Sequence, residues 1–285
     1  MKLKVYILLF LASAIFVSCQ KEITDGSVNP SVPPASSGDL LVRAVQKEGS
    51  DSVVVVFTYD ASKRLINENI TGISQGVDVT NNTRLVRNAS GIITQIVQKS
   101  PAFQPFGIDS VVTQVFYSNS RYTHSIQQFS LLGIISKDST VLQYDAAGKV
   151  TRQDSYQQLV GITSYELSLR VEFTYDANGN VLQFKDYSFN PGSSTGVLAG
   201  ITTYTYDNKV SPIRLSTPGE AFIISRSDMS AVNNPITARI EDATNQANTV
   251  NFTYAITYNA KNKPATAIIT QNPGNIVSNA TFTYQ

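Results

Sequence analysis

The chain offers few side chains able to do chemistry: in 285 residues there is one His, one Cys and no Trp, with 22 Lys+Arg against 21 Asp+Glu. His124 sits in Arg121-Tyr122-Thr123-His124-Ser125. A general base needs a carboxylate to orient it and a nucleophile within reach, and the sequence around His124 supplies neither. It reads as a polar residue on the wet face of a strand. One Cys and one His are too few soft ligands for a structural zinc, a haem or an iron–sulfur cluster, so no metal site and no cofactor is expected. No phosphate-binding loop, G-x-S-x-G or HExxH is present. The balanced charge lacks the basic stripe with which a protein displaces counterions from phosphates, which sets nucleic acid aside as a partner.

What recurs is aspartate after tyrosine, at Asp60, Asp145, Asp176 and Asp207. Asp176-Ala177-Asn178-Gly179-Asn180 has the look of an acidic metal loop. A calcium loop of the EF-hand kind, however, places Gly sixth and a bidentate Glu twelfth, and neither is there. Turn chemistry accounts for all four aspartates. An Asp at the first position accepts from nearby backbone N–H groups, and Gly148 or Gly179 at the fourth takes the left-handed conformation of a type I turn with a bulge.

The elements that position these turns are strands. Tyr165, Leu167, Leu169, Val171, Phe173 and Tyr175 alternate with polar residues, as do Phe252, Tyr254, Ile256 and Tyr258. Period two with one apolar face is the pattern of a half-buried strand. The unit repeats: Tyr117, Tyr144, Tyr175 and Tyr206 are 27, 31 and 31 residues apart. The next gap, from Tyr206 to Tyr258, has room for a copy without its Tyr, around Asn233-Asn234-Pro235-Ile236. About eight hairpins in succession make an antiparallel meander that must twist and curl. The expected fold is all-β: a single curved antiparallel meander, partly rolled or barrel-like, with its Tyr/Phe/Val face inside and no helices after the N-terminal segment.

Tyr175-Asp176-Ala177-Asn178-Gly179-Asn180-Val181 and Tyr144-Asp145-Ala146-Ala147-Gly148-Lys149-Val150 resemble YD repeats, the hairpin units of the Rhs family of bacterial shell-forming proteins. Rhs proteins use many more repeats to enclose a cargo, so the resemblance implies architecture and little function.

At the N-terminus, Lys2 and Lys4 precede an apolar run from Val5 to Val17 that is too short to span a bilayer and ends on Ser18-Cys19. This is the layout of a secretory signal. Phe16-Val17-Ser18-Cys19 resembles a bacterial lipobox, with Phe where Leu is usual, which implies lipidation of Cys19. Gln20-Lys21-Glu22 resembles the short acidic export signal of Bacteroidota surface lipoproteins. Removal of the signal takes away two Lys and leaves 20 bases against 21 acids. Residues 26–38, GSVNPSVPPASSG, are too poor in large apolar side chains to fold and read as a spacer. The expected organisation is a signal peptide at 1–18, a lipidated Cys and Pro/Ser-rich tether at 19–39, and one repeat domain at 40–285.

These features point to a non-enzymatic lipoprotein of the outer membrane, displayed at the cell surface as a binding or structural module. Its partners would be the membrane, through the N-terminal lipid, and a glycan or an envelope protein. Tyr117, Tyr122, Tyr156, Tyr187 and Tyr204 are candidates for stacking sugars. A periplasm-facing carrier of a lipid or other apolar ligand is the alternative, and a hydrolase with a loop-built site is a second. Asp51-Ser52-Val53, Asp109-Ser110-Val111 and Asp138-Ser139-Thr140 resemble the Bacteroidota O-glycosylation acceptor, which nominates Ser52, Ser110 and Ser139. The native protein is expected to migrate above its peptide mass on gels, and a combined S52A/S110A/S139A variant should lose that shift. A shift that survives the triple substitution rules out these serines as acceptors.

Overall fold

The computed structural model describes residues 40–131, 134–158, 164–213, 215 and 217–285, with the side chains of 129–135 left aside. The signal segment, Cys19, Gln20, Lys21, Glu22 and the tether lie outside the described residues.

The strands are β1 (Leu41–Glu48), β2 (Asp51–Tyr59), β3 (Leu65–Ser74), β4 (Val77–Asp78), β5 (Asn81–Arg87), β6 (Ile93–Lys99), β7 (Val111–Ser118), β8 (Arg121–Leu131) and β9 (Ile134–Tyr144). They continue as β10 (Val150–Gln158), β11 (Glu166–Tyr175), β12 (Val181–Ser188), β13 (Val197–Val210), β14 (Asn233–Asp242), β15 (Val250–Tyr258), β16 (Pro264–Asn272) and β17 (Ile276–Tyr284). Each pairs antiparallel with the next, except that the two-residue β4 only extends the turn after β3, which goes on to pair with β5. The last strand returns to the first, with Ala44 opposite Phe282 and Gln46 opposite Ala280. Leu40 and Gln285 exchange backbone hydrogen bonds of 3.2 and 3.0 Å across the seam. The expected meander is thus a closed antiparallel barrel with sixteen wall strands. Closure removes both sheet edges.

One rim carries the repeated turns. At Asp60, Asn88, Asp145, Asp176 and Asn259 the first residue's carbonyl accepts from the N–H three residues on, and its own N–H donates to the carbonyl four on. The fourth residues, Lys63, Gly91, Gly148, Gly179 and Asn262, all have positive φ between 58° and 90°. The side-chain oxygen of the first residue accepts from the backbone as well: Asp60 from Ser62 and Arg64, Asp145 from Lys149, Asp176 from Asn178 and Asn180. This geometry needs a backbone acceptor first and tolerance of the left-handed region fourth, which is why Asp/Asn and Gly/Asn recur there.

Tyrosines at strand ends along this rim have a separate job. The hydroxyls of Tyr59, Tyr175, Tyr206 and Tyr284 donate to the carbonyls of Leu41, Val150, Val181 and Pro264, at 2.6 to 2.8 Å. Tyr144 does the same to Tyr122. In each case the acceptor begins the strand just before the tyrosine's own in wall order, so each ring clips one hairpin to its predecessor. Burial raises the pKa of Tyr59, Tyr144, Tyr175 and Tyr206.

Residues paired across neighbouring strands share a face of the sheet. Phe57, Leu85, Ile96, Phe173, Phe184, Ala238, Phe252 and Ile269 are buried and mark the inner face. The alternate positions therefore point outward, and they include Arg84, Glu172, Lys185 and Arg239 in mid-strand, with Glu172 directly opposite both Lys185 and Arg152. A lipid-facing wall is apolar in that band, where a cationic side chain costs about 2–4 kcal/mol. The outer wall of this barrel is a water face.

Replacing Tyr175 by Phe should lower the free energy of unfolding by about 1–2 kcal/mol, because the buried Val150 carbonyl loses its donor. Denaturant titration checks this: the midpoint should fall with an unchanged slope.

Candidate functional site

Sixteen strands enclose more space than wall side chains can fill, and the chain fills one end with itself. Between β13 and β14, the described residues among 211–232 lie inward from the rim of repeated turns. Pro218-Gly219 leads into a four-residue helix, α1 (Glu220–Ile223), and two 3-10 turns elsewhere and one at Ser227–Ser230 are the other helical pieces among the described residues. These correct the expectation of no helix. A plug out of reach of strand partners satisfies its backbone locally instead.

Ile213, Ala221, Phe222, Ile223, Met229 and Val232 of the plug are buried, with Phe222 edge-on to Phe173 at 4.8 Å. Two ion pairs join the plug to the inner wall. Glu220 meets Arg87 of β5 at 2.6 Å, their side chains 4% and 6% exposed, and Arg226 binds Glu68 of β3 together with Asp228 of the plug. At the far end of the plug, buried Asn180 accepts from the backbone of Val232 and Asn233 and donates to Asp176 and Asn233. Gly219 is seated so closely that a Cβ would overlap the Tyr144 hydroxyl.

Beyond the plug the barrel is hollow. A chamber of about 810 Å³ has Ile223, Ile224 and Ser225 of the plug as its floor. Its walls carry Ile96, Ile240, Val250 and Phe252 beside Thr113, Ser125, Thr140, Ser155 and Thr202. Gln98, Gln127, Asp138, Gln157 and Asn248 lie toward the rim opposite the repeated turns. Volume and mixed lining are those of a small-molecule site.

Two carboxylates in the chamber stand out. Asp186, inward on β12, accepts no hydrogen bond from any described residue, and burial pushes its pKa up to about 7. Asp138, inward on β9, has a buried Oδ1 without a partner, and burial raises its pKa too. Asp242, by contrast, is held at about 2 by Thr244 and Asn248, and Glu241 pairs with Arg239 on the outer wall. The register runs Asp186–Val171–Gln153–Leu142, so Asp186 is level with Leu142, four residues along β9 from Asp138. At roughly 3.3 Å per residue and 4.8 Å per strand the two acids are on the order of 15–20 Å apart along the wall. Paired glycosidase carboxylates stand about 5–10 Å apart, so these two do not form an acid–base couple.

The residues singled out in the sequence are placed elsewhere. His124 stacks on Phe116 at 4.2 Å on the outer wall, with Thr123 Oγ1 3.0 Å from its Nδ1, and burial lowers its pKa. The five tyrosines divide: Tyr122 and Tyr204 face inward, Tyr117 packs edge-on against Tyr122, and Tyr156 and Tyr187 face outward, so they form no common stacking surface. Ser52 and Ser139 are outward and half-buried in β2 and β9, while Ser110 precedes β7. Asp207 makes no hairpin turn, since β13 runs on to Val210; it accepts from Lys209 and Asn234 and clasps the start of β14. The chamber acids went unnoticed in the sequence because Asp138 and Asp186 occupy ordinary alternating positions. The plug did leave a signal, the unalternating run Ala221-Phe222-Ile223-Ile224 after Pro218-Gly219.

No family model matches the chain, and no curated protein does. Two solved structures share the fold. A porin-like protein from Bacteroides vulgatus ATCC 8482 superposes with a TM-score of 0.53 at 13% identity, covering 87% of this chain and 99% of that one. A porin-like protein from Bacteroides uniformis ATCC 8492 gives 0.51 at 10% identity, covering 86% and 98%.

Asp186 binds its proton more tightly folded than unfolded, so its contribution to stability is complete below about pH 4 and is lost as pH rises through 7. The Asp186→Asn variant should therefore exceed the wild type by about 2–4 kcal/mol at pH 8 and match it near pH 4. Thermal unfolding across that range is the check; parallel curves would contradict the assignment.

Proposed function

We propose that this chain is a lipid-anchored lipoprotein of the bacterial outer membrane, held by Cys19 and its tether at the cell surface, and that it works as a non-enzymatic binding module. The observation that carries the reading is the chamber: a walled cup closed at one end by the chain's own plug and lined by both hydrogen-bonding and apolar groups. The likeness of the fold to porin-like proteins of Bacteroides supports an envelope setting. The charged outer wall supports a domain that stands in water beside the membrane, which is the arrangement a lipid anchor and spacer would serve.

Threonine and serine hydroxyls along the walls suit a hydroxylated ligand such as a glycan fragment. An apolar carrier fits less well, because a lipid tail would lie against the Asp186 carboxylate. A hydrolase fits less well because the two chamber acids are too far apart to share a reacting bond.

The full-length protein, extracted from native membranes in mild detergent and analysed by native mass spectrometry, should carry a small ligand. A Ser155→Trp variant, which puts an indole into the middle of the chamber wall and obstructs it, should carry much less of it, and C19A should leave the membrane fraction. Equal ligand occupancy in the wild type and S155W would show that the chamber is not the site. Protease added to whole cells should remove the domain, and its full survival would rule out surface display.

A further inference from the structure

We infer that the ligand of the chamber is an organic cation, a protonated amine whose ammonium group is held by the Asp186 carboxylate on the chamber wall. The inference rests on the chamber being the binding site.

The fold matches its other buried acids with cations. Asp154 is gripped by Arg152 and Arg170, Glu220 by Arg87, and Glu68 by Arg226. The chamber acids are the exception: Asp186 and Asp138 receive no partner from the described residues, and no Lys, Arg or His is among the described residues of the lining. A half-buried carboxylate without a partner is incompletely solvated, and a bound cation offsets that cost where the surroundings screen the attraction less than bulk water does.

The surroundings of Asp186 are cleared for a guest. Its register neighbours are Val171 and Gly200, neither able to donate from a side chain, and a Cβ on Gly200 would come within 3.6 Å of Asp186 Oδ2. The missing side chain leaves open space beside the carboxylate. Phe252 lines the same chamber, as does Phe189, whose ring already carries the Arg170 guanidinium at 5.5 Å and so tolerates a cation against its face. Thr202, Ser155 and Thr140 line the same chamber with groups that accept or donate, and Asp138 supplies a second negative charge. An anionic ligand would meet two like charges and no counter-charge. A neutral polyol would leave the carboxylate without a counter-charge.

Calorimetric titration of the full-length protein at pH 8 tests this with a matched pair, glucosamine and glucose, which differ by one amine, and with spermidine as an extended amine. An amine probe should bind at least about tenfold more tightly than glucose. D186N, a variant that keeps the shape and folds at least as well at this pH, should weaken amine binding by about tenfold or more, and D138N should weaken it less. S155W should weaken it strongly. Glucose binding as tightly as the amines, with S155W weakening both, would overturn the cation assignment and leave the chamber as the site. Amine affinity unchanged by D186N overturns it as well. Amine binding unchanged in S155W, or no binding by any of the three probes, counts against the chamber reading and the cation assignment together.

Discussion

Closing an antiparallel sheet of sixteen strands leaves a lumen that inward side chains cannot fill, and much of what is particular to this molecule is an answer to that. At one end the chain inserts residues 217–232 into its own barrel. At the other it leaves a chamber of about 810 Å³. The plug is not held by apolar packing alone. Phe222 and Met229 bury against the wall, while Glu220–Arg87 and Arg226–Glu68 fix where it sits, since a charge displaced from its partner in that interior would stand uncompensated. The floor of the cup is consequently a defined surface, built from Ile223, Ile224 and Ser225.

The same sheet geometry sets the polarity of the two faces. In a membrane-spanning barrel the outward positions are apolar and the lumen is wet. Here the outward positions carry Arg84, Glu172, Lys185 and Arg239, and the lumen near the repeated turns is packed with Phe57, Leu65, Phe173 and Phe184. The polarity of a membrane-spanning barrel is therefore reversed at that end. Toward the open rim the inner face becomes polar again, through Thr113, Gln127, Thr140 and Ser155. A gradient along the barrel axis, from oily plug to hydroxyl-lined mouth, is what separates the structural half from the half free to bind.

Cohesion between successive hairpins comes from a small device used repeatedly. The Asp or Asn closes its own turn, and the preceding Tyr reaches back to the strand before its own, as Tyr175 does to Val150 and Tyr206 to Val181. A turn motif and an inter-hairpin clip are thus contained in two adjacent residues. This explains why Tyr and Asp stay together even where the rest of a copy has diverged. Asp207 shows the pair adapting: with a plug following instead of a turn, its carboxylate holds Asn234 at the start of β14.

Strands, turns and their order were legible in the sequence because each rests on local chemistry: period-two alternation makes one wet face, and Asp with a left-handed fourth residue makes a tight turn. All-β architecture and antiparallel succession follow from those alone. Closure was not legible, since the pairing of Ala44 with Phe282 depends on the summed twist and stagger of every strand between them. Nor was the chamber. Asp138 and Asp186 look like any polar residue on an alternating strand, and what leaves them unpaired is which residues the closed wall sets beside them, such as Val171 and Gly200 next to Asp186. The sequence by itself determined the unit and its repetition. The tertiary structure decided that the units close into a barrel, that one insertion turns inward to plug it, and that two carboxylates are left unpaired inside, because those outcomes depend on distances between residues far apart in the chain.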